Sequence, residues 1–267
     1  MTFSRDFNEV RSLPAGGQAF FGLDVLQELV DGIRAELRDQ KANQSRWRWG
    51  TAVLGCAMWM DDPDFMQVLR ECSSVCVVVT KQVQGKRWPA KTASHLAFLK
   101  DAAGLAQEAF PELAELAATG SGPALVVGPG TASWNGEVDA LRELGFRKTS
   151  QGLVPIVHAK IALVGSMMWT DEHPSGHVVD EVFFRPRRLW IGSANFTERS
   201  RGSLEMGMWS ADPGLMESAR SFLLKLVADS EPFGSGPDHM DPELRPVEYD
   251  DEAMIEYLRD MGPPEYD

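Results

Sequence analysis

Two short, almost unbroken apolar runs, GTAVLGCAMW at 50–59 and SVCVVVTKQ at 74–82, bracket the segment DDPDFMQVLREC. A strand with one solvated face alternates apolar and polar residues, whereas a run that is apolar throughout is covered on both faces. The intervening segment reads as a helix, opened by an aspartate cap and by a proline in its first turn, where a missing N–H breaks no hydrogen bond. Strand, helix and strand in that order make a β-α-β unit with parallel strands. It commits the chain to a sheet with helices on its faces.

The rest of the chain extends the alternation. From Gly22 to Gln40, residues Leu23, Leu26, Leu29, Val30, Ile33 and Leu37 recur at helical spacing and predict a helix lying on the sheet. The pattern then predicts a proline-interrupted helix over 94–118, a third strand at PALVVG (123–128), a helix at NGEVDALRELGF (135–146) and a closing helix over 213–230. The expected class is α/β, a mixed β-sheet flanked by helices on both faces, built as an α/β/α sandwich. One domain of this size accounts for most of the 267 residues.

Charge marks off the remainder. The formal net charge is −13, yet residues 229–267 hold 13 acidic and 2 basic side chains while residues 1–228 hold 26 and 24. We therefore expect a domain over 1–228 and an acidic C-terminal tail over 229–267, with one short helix around Asp250 to Met261. The tail is read as a solubilising extension, or as a segment that covers a basic groove or docks on a partner protein. No apolar leader opens the chain, and no run reaches the roughly 20 apolar residues of a membrane span. These features lead to an expectation of a cytoplasmic protein that does not engage membrane. Cys56, Cys72 and Cys76 fall in or beside apolar runs without metal-ligand spacing, so they are expected as buried thiols, and neither metal nor cofactor is expected.

Within LVPIVHAKIALVGS (153–166), strand alternation sends Val157, Ala159, Ile161 and Leu163 one way and His158, Lys160, Ala162 and Val164 the other, so His158 and Lys160 share a face. Downstream, an apolar strand at Leu189–Ile191 runs into Gly192, Ser193, Ala194 and Asn195 and then toward Glu205. Together these residues resemble the phospholipase D superfamily, whose signature is H-x-K-x4-D-x6-G-S-x-N, with a carboxylate downstream. The match falls on His158, Lys160, Gly192, Ser193 and Asn195, with Glu205 as the downstream carboxylate. Gly165 stands where the signature has its aspartate. The 32 positions from Lys160 to Gly192 exceed the signature by about twenty. The extra residues, MMWTDEHPSGHVVDEVFF, read as a hairpin that lengthens two neighbouring strands. His173 and His177 are expected as exposed turn residues, and His95 in a surface or packing role.

The resemblance implies a phosphodiesterase that works without metal. His158 would attack phosphorus, Lys160, Ser193 and Asn195 would hold the phosphoryl oxygens, and Glu205 would sit behind His158 and orient its ring. The family reaction uses two histidines, and this chain has a single H-x-K, which implies a homodimer with one site shared across its axis. A nuclease is favoured by RWRW at 46–49 and by Arg185, Arg187, Arg188, Arg199 and Arg201, all close to the motif in sequence and suited to nucleic-acid phosphates. Arg185, Arg187, Arg188 and Arg199 are taken as the substrate-binding set, with DNA as the favoured substrate. Single-motif bacterial members suggest an accessory of a phage-defence or DNA-modification system, with a larger complex reached through the acidic tail. The alternatives are a phospholipase D-type lipid phosphodiesterase and a non-catalytic phosphate-binding scaffold.

Overall fold

A computed structural model describes residues 6–43, 45, 47–81, 96, 99, 102–114, 125–127, 137–145, 148–149, 152–153, 156–172, 178–234 and 247–249. Its centre is a nine-stranded mixed sheet. In chain order the strands are β1 (Glu9–Ser12), β2 (Gln18–Gly22), β3 (Arg48–Ala57), β4 (Ser74–Thr80), β5 (Leu141–Leu144), β6 (Ile161–Glu172), β7 (Val178–Gly192), β8 (Glu205–Ser210) and β9 (Glu231–Pro232). Their order in space is β1-β2-β8-β7-β6-β3-β4-β5-β9. Only β3–β4 and β4–β5 are parallel neighbours; the others are antiparallel. The parallel core is the β-α-β unit that the two apolar runs predict.

Alternate residues of the central strands feed two cores, one on each face. Val53, Val75, Val77, Val79, Ala162, Val164, Trp190 and Trp209 meet helix α1 (Val25–Ala42) and helix α2 (Pro63–Arg70). Leu54, Cys56, Cys76, Val78, Leu163, Met167, Phe184 and Leu189 meet helix α3 (Pro213–Asp229) and the segment 105–113. The sandwich expected from the sequence is therefore the fold observed. Asp62 caps α2 by accepting from the Phe65 amide at 2.8 Å, with Pro63 in the first turn. Helix α1 begins after Leu23, which is exposed, because Asp24 takes a left-handed conformation with φ 55° that breaks the helical path. No described helix is long and apolar enough to cross a membrane.

Three expectations are corrected. Within the helix expected over 94–118, residues 105–113 instead form a short strand, Leu105–Ala106, and two 3-10 turns; Pro111 opens the second turn, where it has no N–H to give a longer helix. The helix expected over 135–146 is replaced by a short strand at Glu137–Val138 and by β5, whose four residues are all buried. Arg142 and Glu143 look like a solvated helix face in sequence. In the fold Arg142 donates to the Ser230 hydroxyl and carbonyl at 2.7 and 2.8 Å, and Glu143 lies 3.7 Å from Lys81. The strand at PALVVG exists as Leu125–Val127 but pairs in parallel with Val247–Tyr249, outside the nine-stranded sheet.

The inserted residues form the hairpin of β6 and β7, paired from Ile161↔Ile191 to Glu172↔Val178, with its tip outside the described residues. β1 and β2, which periodicity did not suggest, extend the sheet beyond β8. Past residue 228 the chain still belongs to the body: Glu231 is buried and ion-paired with Lys81. The short helix expected around 250–261 and the histidines at 95, 173 and 177 lie outside the described residues.

Candidate active site

The residues singled out by the H-x-K and G-S-x-N motifs gather at one end of the sheet, where β6 begins, β7 ends, β8 begins and β3 ends. His158 and Lys160 lie in the extended stretch just ahead of β6, whose ladder starts at Ile161, so the strand expected over 153–166 is shorter than its alternation suggests. That stretch is anchored through its apolar side. Val157 and Ala159 pack into the α3-side core, the Thr80 hydroxyl donates to the Val157 carbonyl at 2.6 Å, and the Cys56 thiol lies 3.8 Å from the Ala159 carbonyl. The alternate residues take the other side, leaving His158 exposed and Lys160 buried.

Lys160 Nζ donates to the His158 carbonyl at 2.8 Å and lies 3.3 Å from His158 Nδ1. Burial pushes the Lys160 pKa below the ordinary lysine value, and the negative charge of Glu205 partly offsets that effect. Gly192 ties β7 to this segment by donating its amide to the Lys160 carbonyl at 3.0 Å. The approach is close, since a Cβ at this glycine would stand 3.0 Å from the Met206 carbonyl oxygen and 3.1 Å from the Trp190 indole nitrogen.

Ser193 is a junction. Its amide donates to the Met206 carbonyl at 2.9 Å, its hydroxyl accepts from the Met206 amide at 3.0 Å, and the same hydroxyl donates to Glu205 Oε2 at 2.5 Å. Glu205 thus holds Ser193 and acts electrostatically on Lys160. The hydrogen bond expected from the His158 ring to Glu205 is replaced by this serine contact. Asn195 is half-buried, and its Oδ1 has no hydrogen-bond partner. The next residue is fixed on three sides: the Phe196 amide donates to the Trp59 carbonyl at 3.1 Å, its carbonyl accepts from the Asp61 and Asp62 amides, and its ring lies 4.5 Å from that of Phe65.

The position of the missing aspartate has a steric account. Gly165 sits at a bulge between β6 and β7, where a Cβ would lie 2.3 Å from the Arg185 carbonyl oxygen and 2.6 Å from the Phe184 ring. No side chain fits there without movement.

The arginines divide. Arg199 is exposed on the turn Glu198–Gly202 that follows Asn195. Arg185 is exposed but lies seven residues along β7 from Gly192, roughly 23 Å at the rise of a strand. Arg187 faces α1, 3.2 Å from Glu36 and 3.0 Å from Asp39. Arg188 lies over the Trp209 ring at 4.4 Å, and burial lowers its pKa. In RWRW, Arg48 pairs with Asp39 at 2.8 Å, and Trp47 stacks on Trp169 at 5.3 Å. Arg201 closes on Asp62 and Asp24, contacts that the sequence signalled only through the Asp-Asp-Pro helix cap.

No protein-family model matches the chain, and no curated protein matches it. Solved structures are similar. NucT from Helicobacter pylori has a TM-score of 0.42 at 12% identity, covering 84% of this chain and 100% of its own. Nuc from Salmonella typhimurium, a phospholipase D family member, also has a TM-score of 0.42 at 12% identity, covering 82% and 99%. Polyphosphate kinase from Porphyromonas gingivalis has a TM-score of 0.39 at 12% identity, over 91% of this chain and 28% of its own. Similarities of this size assign no chemistry. That rests on the residues themselves.

Proposed function

We propose that this chain is a phospholipase D-like phosphodiesterase, and that it acts as a nuclease. The observation that carries the reading is the contact of Lys160 with His158 at the sheet end where Gly192, Ser193, Asn195 and Glu205 also converge. A phosphodiester repels nucleophiles, so hydrolysis needs a cation and hydrogen-bond donors around the phosphoryl oxygens. Lys160 supplies the cation, and Ser193 and Asn195 supply polar groups on a fixed loop. Glu205 keeps Ser193 in place and supports the charge on Lys160.

In this reading a ring nitrogen of His158 attacks phosphorus, forming a P–N bond as the P–O bond to the leaving group breaks. The leaving oxygen takes a proton from a second histidine, which then deprotonates the water that cleaves the phosphohistidine. The chain has a single H-x-K, at His158 and Lys160. We therefore propose that the second comes from another copy of the chain, in a homodimer with a shared site. We propose that Arg199, exposed on the site loop, meets a flanking phosphate.

A second reading is favoured by the apolar side chains beside the motif residues. Ile156 and Leu204, close in the chain to His158 and Glu205, are 38% and 53% exposed, and exposed apolar surface of this kind suits a phospholipid better than a polyanion.

Hydrolysis of bis(p-nitrophenyl) phosphate in EDTA tests the reaction class, with DNA, RNA and phosphatidylcholine assayed in parallel. Because His158 is exposed, His158→Ala should melt like wild type while turnover drops by about 10³-fold or more. Equal turnover by the variant, or none by the wild-type protein, would defeat the proposal.

A further inference from the structure

We infer that Arg201 is a positioning residue, a polar clamp that sets the Asn195–Glu205 loop against Lys160; the inference rests on the phosphodiesterase reading. The loop leaves β7 after Gly192 and rejoins the sheet at Glu205, and between them it carries Ser193 and Asn195. Its apolar anchorage ends early. Phe196 is buried against Phe65, but Glu198, Arg199, Gly202 and Leu204 are exposed. Beyond Phe196 the loop is held by polar contacts, and most of them converge on Arg201.

The guanidinium grips Asp62 with two prongs, Nε to Oδ2 at 2.5 Å and Nη2 to Oδ1 at 2.9 Å. Its Nη1 donates to Gln27 at 2.7 Å and to Asp24 at 3.0 Å, both near the start of α1. A planar fork matches a carboxylate in this way, and a lysine cannot reproduce it. Asp62 is fully buried and already caps α2, so Arg201 neutralises a carboxylate that the solvent does not reach. The backbone repeats the grip: the Arg201 carbonyl accepts from the Asp24 amide at 3.1 Å. Asp24 is the one non-glycine residue with positive φ among those described. That conformation presents its amide and its carboxylate to the same arginine. Strained backbone of this kind persists where the surroundings over-determine it.

Helices α1 and α2 are fixed by their own apolar faces, and the clamp transfers their position to the loop. Asn195 and Glu205 stand at the loop's two ends, so its placement sets their approach to Lys160 and Ser193. A misplacement of about 1 Å at a reacting group lowers turnover by up to ~10²-fold.

The test compares Arg201→Lys, which keeps the charge without the fork, and Asp62→Asn, which keeps the helix cap without the charge. Both are compared with wild type and His158→Ala. We expect kcat for bis(p-nitrophenyl) phosphate to fall about 10- to 100-fold in both clamp variants, with KM within about 3-fold. Amide hydrogens of 194–204 should exchange faster while those of β3, β4 and β6 stay protected. Should one variant fail to fold, the other carries the comparison. Unchanged exchange over 194–204 overturns the clamp whatever the activity, as does wild-type kcat in both variants. Wild-type turnover in His158→Ala would instead overturn the phosphodiesterase reading, and leave the exchange result to judge the clamp.

Discussion

The hairpin of β6 and β7 treats polar residues oppositely in two regions, its α1-facing middle stretch and its open end. Toward α1, Arg48 and Arg187 meet Glu36 and Asp39, and Arg188 lies on Trp209. At the open end, where β6 begins and β7 ends, the His158 side chain is exposed, with Lys160 Nζ 3.3 Å from its ring nitrogen. Polar groups that neighbouring elements satisfy contribute to the fold, whereas groups held rigidly but left open can receive a substrate. Proximity in sequence to a motif is therefore a poor guide to function for arginines. Those on β7 are spaced along a strand that carries them away from the phosphate site.

The sharpest division between the two regions should come from Lys160. Lys160→Met removes the cation in contact with His158, and should lower kcat by about 10²-fold or more. Burial disfavours the ammonium form, so wild-type Lys160 loses its proton below the ordinary lysine value of 10.5. The neutral amine no longer offsets phosphoryl charge, so the rate should fall as pH rises through that lowered value. Arginine does not deprotonate in this range. Lys160→Arg should keep part of the activity and lose the lysine contribution to the alkaline limb, leaving the fall set by the histidine that protonates the leaving oxygen; wild-type kcat in Lys160→Met would remove Lys160 from the reaction.

Regions of the molecule also differ in how far sequence reveals them. The β3-α2-β4 unit was legible because apolar continuity and the Asp62-Pro63 cap are local signals. The H-x-K and G-S-x-N residues were legible through their resemblance to the phospholipase D signature, whose two motifs are short local patterns. β5 was not: its Arg142 and Glu143 are satisfied by Ser230 and by Lys81, and 88 residues separate Arg142 from Ser230. A buried strand with distant ion partners has the same pattern as a solvated helix. The partner of Glu205 was hidden for a related reason. Its choice of Ser193 depends on a loop held by Arg201 and Asp62, which are 139 residues apart.

Gly165 lies part-way along the hairpin, and introducing the signature aspartate there tests whether the site depends on it. Gly165→Asp drives a Cβ against the Arg185 carbonyl and the Phe184 ring. Overpacking of this kind should destabilise the protein by about 3 kcal/mol in urea unfolding, with no gain in turnover from the folded fraction. A stable variant with higher activity would show that the hairpin yields readily and that the missing acid limits the present site.

The smallest effect is expected at Arg187. Its side chain is 40% exposed, and its partners Glu36 and Asp39 keep Arg48 at 4.0 and 2.8 Å. Arg187→Ala should therefore cost about 1 kcal/mol or less, and less still at high salt. Turnover of both bis(p-nitrophenyl) phosphate and DNA should stay within about two-fold of wild type. Opposite behaviour would break the comparison between the two regions: a large loss on DNA with none on the small substrate means that Arg187 leaves Glu36 and Asp39 to bind a phosphate away from the cleaved bond. The α1-facing stretch of the hairpin would then belong to the substrate path. With only the small effect, that stretch serves the fold, and recognition is confined to the groups around His158 and the loop that Arg201 holds.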